Sequence, residues 1–243
     1  GGVYLYDIEK KQVLRISRGI LSYGFNSNSL FFSSYDMSIN ILQKESLYYG
    51  ERFLYPLYYN FKEHKYGHMW KMQNSESIYT INDLRVSDTH VLMTAYFGQN
   101  GMDGRIMYTK IGEWDKWKEL TYKKETLYGL DRRAGYGNMT GQYIVYYDYD
   151  LEIQFCDLEK GDAGCFRLSR DTEEGREPFF LKNNKTIVYF STDLTTKKKS
   201  IVQVDISEGN QLTYTVLDQF EDVKGMGLVN ATDDFIVYIK RLD

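Results

Sequence analysis

Apolar and polar positions alternate in short segments along almost the whole chain. The runs VYLYDI (3–8), SLFFSSYD (29–36), HVLMTAYFG (90–98), QYIVYYDYD (142–150), TIVYFSTD (186–193) and FIVYIKRLD (235–243) are rich in β-branched and aromatic residues. Each is bounded by Gly, Asn, Asp or Ser, the punctuation expected of strands. No window of about twelve residues keeps a capped apolar stripe of period 3.6, residues 44–66 coming nearest to one. The pattern predicts an all-β protein.

The strands recur as units. A strand ending in Asp followed by Ile or Leu appears in YLYDIE (4–9), QFCDLE (154–159) and VQVDIS (202–207). MYTKIG (107–112) is a degenerate copy with Lys110 at the marker position. Positions 110, 157 and 205 are spaced 47 and 48 apart. A polar turn and apolar strand precede the marker in NMTGQYIVYYDYD (138–150), KNNKTIVYFSTD (182–193) and NATDDFIVYIKRLD (230–243). A further strand follows it in QVLRISRG (12–19), WKELTY (117–122), CFRLSRD (165–171) and LTYTVLDQF (212–220). Modules of about 45 residues with four antiparallel strands are the arithmetic of propeller blades.

Phase sharpens this expectation. With strands labelled a to d from the inside outwards, the chain opens on c and d strands (3–8, 12–17). It ends on a and b strands (224–229, 235–240). Counting from Asp205 through the C-terminus to Asp7 gives 45, matching the internal period. The b strands at 30–35, 91–97, 143–148, 187–192 and 235–240 number five. The sequence thus predicts a five-bladed β-propeller of four-stranded antiparallel blades, residues 1–243 forming one domain. Its ring closes by pairing the N-terminal c/d strands with the C-terminal a/b strands, which leaves no open edge. The alternative is a fragment of a larger ring.

The best-preserved module, residues 165–207, resembles the TolB-like propeller repeat. Arg167-Leu168-Ser169, Pro178-Phe179, Asn184-Lys185, Ser191-Thr192-Asp193 and Val204-Asp205-Ile206 fall where that repeat has its basic-Leu-Thr, Pro-aromatic, turn, Ser-Asp and strand-end motifs. The other blades match by period only, and the Ser-Pro-Asp-Gly core of the motif is absent. The resemblance implies a propeller, usually extracytoplasmic, used for protein or ligand binding.

Composition narrows the class. Aromatics make up 16% of 243 residues (Tyr 23, Phe 13, Trp 3) against two prolines, which excludes disordered and low-complexity chains. Apolar runs are far shorter than the roughly 20 residues of a membrane-spanning helix. The net charge of −4 does not favour a nucleic-acid partner. No signal peptide is evident, and the opening Gly1-Gly2 reads as a processed protein or a piece of a longer polypeptide with further domains.

Candidate chemistry is sparse. Cys156 and Cys165 lie opposite each other across a hairpin turning at Lys160-Gly161, which suits a disulfide and an oxidising, extracytoplasmic compartment. Two free thiols are the alternative. His64, His68 and His90 are read as surface or packing residues, so no metal or other cofactor is expected. No Gly-x-Ser-x-Gly elbow or phosphate-cradling loop is present. Asp36, Asp103, Asp148, Asp150 and Asp193 recur at b-to-c turns, as turn-forming aspartates do. The same residues are the fallback for a glycoside hydrolase-like funnel. A third alternative is the regulatory propeller of a peptidase.

One region departs from the repeat. The next c-like strand after 30–35 reads as GHMWKMQ (67–73), with SIYTI (77–81) as its partner. Residues 37–66 are then an insertion on a b-to-c loop. From 44 to 70 the chain carries Tyr48, Tyr49, Phe53, Tyr55, Tyr58, Tyr59, Phe61, Tyr66 and Trp70, a strongly aromatic stretch. Such a segment suits recognition of a protein or glycan, or else packs as a plug or mini-core. The expectation is a non-catalytic binding propeller.

Overall fold

The computed structural model describes residues 3–8, 10–17, 23–34, 55–70, 78–97, 103–122, 138–148, 150–181, 184–221, 225–232 and 234–241. The chain forms two compact units, Gly1–Thr121 and Tyr122–Asp243.

The first unit opens with the hairpin β1 (Val3–Asp7) and β2 (Gln12–Ser17). A four-stranded antiparallel meander follows: β3 (Tyr23–Phe25), β4 (Ser29–Ser34), β5 (Tyr55–Asn60) and β6 (Lys65–His68). A second meander comprises β7 (Ile78–Val86), β8 (His90–Phe97), β9 (Asp103–Lys110) and β10 (Lys118–Leu120). Phe31 and Phe32 show why β4 carries consecutive aromatics instead of a clean alternation. Phe31 joins a core with Met69, Ile81, Leu84 and Met93, while Phe32 joins another with Leu57, Tyr59 and the partly buried Leu5. Both faces of the sheet are covered, so both must be apolar.

The second unit repeats the plan. Its first sheet is β11 (Asn138–Thr140), β12 (Tyr143–Tyr147), β13 (Ile153–Asp157) and β14 (Cys165–Arg167). Its second is β15 (Glu173–Phe180), β16 (Thr186–Asp193), β17 (Lys199–Ile206) and β18 (Leu212–Phe220). The hairpin β19 (Gly225–Ala231) and β20 (Ile236–Arg241) follows. Val145, Ile153 and Phe155 of the first sheet pack with Ile187, Tyr189, Val202 and Val204 of the second. The other face of the second sheet buries Val188, Phe190 and Phe220 with Leu228 of β19. Pro178 sits in β15, an edge strand, where the register shifts between Arg176 and Phe179; there the missing N–H is tolerated.

Four complete antiparallel sheets of four strands bear out the all-β expectation and the blade as the repeating unit. The anticipated b strands fall on β4, β8, β12, β16 and β20. Two expectations need correction. Residues 55–66 are not insertion: they supply β5, the hairpin turn and β6 of the first complete sheet. The segment expected as a d strand at 77–81 begins β7, the first strand of the next sheet. The aromatic run misled because Tyr55–Asn60 is itself a strand, with Pro56 and Leu57 buried. What separates β4 from β5 is residues 35–54, which lie outside the described residues. The equivalent links at 98–102, 148–152 and 194–198 have five residues each. Ring closure in one sheet is not seen either. Among the described residues β1 pairs only with β2, and β20 only with β19.

Cys156 stands opposite Cys165 and the two are disulfide-bonded, with Cα atoms 4.0 Å apart. The connection is not a two-residue turn. It winds through one 3-10 turn at Gly161–Gly164.

Candidate functional site

The aromatic residues singled out from the sequence divide into two groups. Tyr48, Tyr49 and Phe53 lie outside the described residues, and of Tyr55 the structure gives the backbone, paired with Ser34. Tyr58, Tyr59, Tyr66 and Trp70 are packing elements of the first unit. Tyr59 is 1% exposed; its ring lies 4.9 Å from that of Tyr66, and its hydroxyl pairs with His64 Nδ1 at 3.0 Å. Tyr58 lies across Gly67, its partner on β6, where any Cβ would collide with the ring. Its ring centre is 5.4 Å from that of Trp114. Trp70 packs 5.5 Å from Phe97 and 5.6 Å from Trp117, and its buried indole N–H has no hydrogen-bond partner among the described residues.

Among the acidic turns, Asp36 is outside the described residues and Asp103 opens β9 opposite Phe97. Asp148 is 1% exposed. One oxygen accepts the Glu152 N–H at 3.0 Å, and the other accepts Gln154 Nε2 at 2.8 Å. Asp150 is exposed in the same turn. Asp193 accepts both the N–H and the hydroxyl of Thr196, at 2.6 and 2.9 Å, and the Thr195 N–H at 3.0 Å. These bonds, the Thr196 N–H foremost, hold its carboxyl below the usual range. Each aspartate thus commits one oxygen, Oδ1, to the turn that contains it.

Sequence reasoning missed Glu173. Its buried carboxylate accepts Ser191 Oγ at 2.6 Å, the Tyr189 hydroxyl, the Arg170 N–H at 2.9 Å and Arg170 Nη2 at 2.7 Å. Burial alone would raise its pKa. The bonds from Arg170, Ser191 and Tyr189 outweigh that and hold it low. Tyr189 moves the other way, raised by its own burial and by the Glu173 charge. This is a saturated structural network.

An open arrangement lies elsewhere in the second unit, where the core between its two complete sheets ends at their turns. Tyr143 and Phe166 line a cleft of about 280 Å³, together with Phe155, Asp157, Lys160 and Lys185. The Tyr143 ring is stacked 5.6 Å from Phe155, which lies 5.1 Å from Phe166. Asp157 faces Tyr143 across β12 and β13. Its Oδ1 accepts Gln142 Nε2 at 2.8 Å and the Glu159 N–H at 3.2 Å, while Oδ2 lies 3.5 Å from Lys160 Nζ. The Thr140 hydroxyl donates to Asn184 Oδ1 at 2.9 Å, tying the two sheets together beside the cleft. The far rim is the turn Ser207–Asn210, with Gly209 and Asn210 both at positive φ (70° and 60°). An aromatic wall facing fixed polar groups can hold a small, hydroxyl-rich molecule. Among the described residues no group of three His, Cys, Asp or Glu could hold a metal ion.

No family model and no curated protein matches the chain. Solved structures do. Oligogalacturonate lyase from Vibrio parahaemolyticus aligns at 8% identity over 93% of this chain and 61% of its own, with a TM-score of 0.54. Dipeptidyl peptidase 4 from Porphyromonas gingivalis aligns at 9% identity over 90% of this chain and 36% of its own, with a TM-score of 0.55. A putative TolB from Agrobacterium tumefaciens aligns at 12% identity over 90% of this chain and 80% of its own, with a TM-score of 0.43. The likeness to the lyase and the peptidase is one of fold. The four-stranded sheets match propeller neighbours, and the TolB-like resemblance of residues 165–207 has no family model behind it. This chain spans about three fifths of the lyase's length and about a third of the peptidase's.

Proposed function

We propose that the chain is a non-catalytic binding module of propeller type that recognises a glycan or a protein. The observation that carries this reading is the cleft of the second unit. Its Tyr143 and Phe166 are half-buried, and its Asp157 carboxylate is held by Gln142 and the Glu159 N–H. Among the described acidic groups, Asp148 and Asp193 hold their own turns, and the buried Glu173 accepts five donors. The module acts outside the cytoplasm, a location with which the Cys156–Cys165 disulfide is compatible.

The five-blade ring belongs to the same proposal, with β1–β2 and β19–β20 as the outer and inner halves of one blade. Tyr4 and Tyr6 of β1, and Val237 and Ile239 of β20, are more than half exposed, and such apolar strands call for a covering partner. Binding of purified chain to a glycan array and to immobilised extracts tests the function. Selective retention of a glycan or a protein without turnover supports the reading. Release of cleaved or unsaturated sugar would favour the glycoside hydrolase-like alternative.

A further inference from the structure

Resting on the binding reading and deepening it, we propose that the cleft of the second unit is a saccharide subsite for one neutral pyranose ring. Its wall is held by the Cys156–Cys165 disulfide. The volume, about 280 Å³, lies just below the usual range of small-molecule sites and suits a single sugar ring better than a peptide segment. Tyr143 and Phe166 offer aromatic surface against which the C–H face of a pyranose packs, with Phe155 behind both.

The polar side matches adjacent sugar hydroxyls. Asp157 Oδ2 accepts and Lys160 Nζ donates, and their 3.5 Å separation is too long for a good hydrogen bond between them. Each head can therefore take a hydroxyl of a vicinal pair. Oδ1 is already committed to Gln142 and Glu159, which fixes the carboxylate in place before a ligand arrives. Charge decides between a neutral and an acidic sugar. Lys160 and Lys185 are balanced by Asp157 and Glu208 among the lining residues, leaving no net attraction for an anion.

The disulfide brackets this wall. Asp157, Lys160, Ala163 and Gly164 all lie in the loop that the Cys156–Cys165 bond closes. Gly164 is packed so tightly that a Cβ would lie 2.6 Å from the Asp157 carbonyl oxygen. Opening the bond frees the segment that carries both hydroxyl-binding heads.

The test uses the full chain, with methyl glucoside, methyl galactoside, methyl mannoside and short neutral oligosaccharides as probes and glucuronate as the charged counterpart. Titration should show binding of at least one neutral probe. Ala163→Trp fills the cleft from its exposed rim without touching the core and should weaken that binding at least about tenfold, as should Tyr143→Ala. Unchanged melting curves certify the fold of each variant. Lys185→Ala should change affinity less than about twofold, and Cys156→Ala with Cys165→Ala should weaken it several-fold. Tighter binding of glucuronate, lost in Lys185→Ala, would overturn the neutral assignment. Neutral binding that survives Ala163→Trp would overturn the site while leaving the binding module intact. Capture of a protein with no glycan bound would do the same. Failure to bind either class would sink the underlying reading as well.

Discussion

Glu173→Ala should be among the most damaging single changes in the second unit. The carboxylate is 2% exposed and is the common acceptor for Tyr189, Ser191 and Arg170. Its loss strands the Tyr189 and Ser191 hydroxyls inside the sheet, at about 1–3 kcal/mol each. The Arg170 guanidinium, 42% exposed, turns to water at small cost. The expected loss is about 3–5 kcal/mol, carried by the two stranded hydroxyls. For a chain of this size that is a fall of about 10 °C in Tm. Arg170→Ala should cost less than Glu173→Ala, because the carboxylate keeps its two hydroxyls and a backbone N–H. The network also sets a pH dependence. The Glu173 carboxyl sits below its ordinary value, so its stabilisation is complete above the unfolded-state pKa of about 4.3 and is lost as pH falls through the folded one. Urea unfolding of wild type should therefore weaken more steeply between about pH 5 and 3 than that of Glu173→Gln. Equal losses for Glu173→Ala and Arg170→Ala, or identical pH profiles, would refute the argument.

Reducing the Cys156–Cys165 bond should lower stability by about 2–3 kcal/mol without unfolding the chain, checked by melts with and without reductant. Replacing residues 35–54 with a five-residue link like those of the other sheets should cost about 1 kcal/mol or less by urea titration, since loop length carries little entropy. Tyr55, Tyr58 and Tyr59 changed together to Ala should drop Tm sharply. Tyr59 alone is a buried aromatic worth about 3–5 kcal/mol, and a normal melt would contradict its place in the core. Gly67→Val should push Tyr58 off β6 and cost about 1–3 kcal/mol, read from the same titration.

Strand content was legible because each strand meets the same demand. A sheet covered on both faces needs apolar residues on both, and Phe31-Phe32 or the almost wholly buried β8 supply them. The Cys156–Cys165 register was legible for a related reason: a hairpin fixes which residues stand opposite, whatever the turn. The turn itself was not. A 3-10 turn and a tight two-residue reversal yield the same pairing, and composition does not separate them. The insertion was misjudged at one end because aromatic density reads alike in a strand packed on both faces and in a recognition loop. Only pairing partners distinguish them, and Tyr59 opposite Leu30 and Tyr66 is a pairing that no local pattern announces.

The marker position explains both the success of the repeat argument and its gap. In the structure Thr186 pairs with Asp205, Tyr143 with Asp157, His90 with Lys110 and Ser29 with Asn60. These four pairs close corresponding ends of the four complete sheets, at a spacing of 50, 47 and 48 residues between the later members. Thr186 donates directly to Asp205 at 2.6 Å. Tyr143 replaces Thr186 in the preceding sheet, and Gln142 supplies the donor to Asp157 instead. Asn60 instead holds its own turn, accepting the Lys62 and Glu63 N–H groups at 2.9 Å. At the strand end the repeat keeps a hydrogen-bonding side chain in at least three of the four sheets, with neither the residue nor its partner fixed. Asn60 followed by Phe61 therefore lacks the Asp-Ile/Leu signature, and the marker pattern places the missing strand too late in the chain. The cleft arises from the same substitution: with Tyr143 where Thr186 would stand, the strand end gains an aromatic face beside its carboxylate.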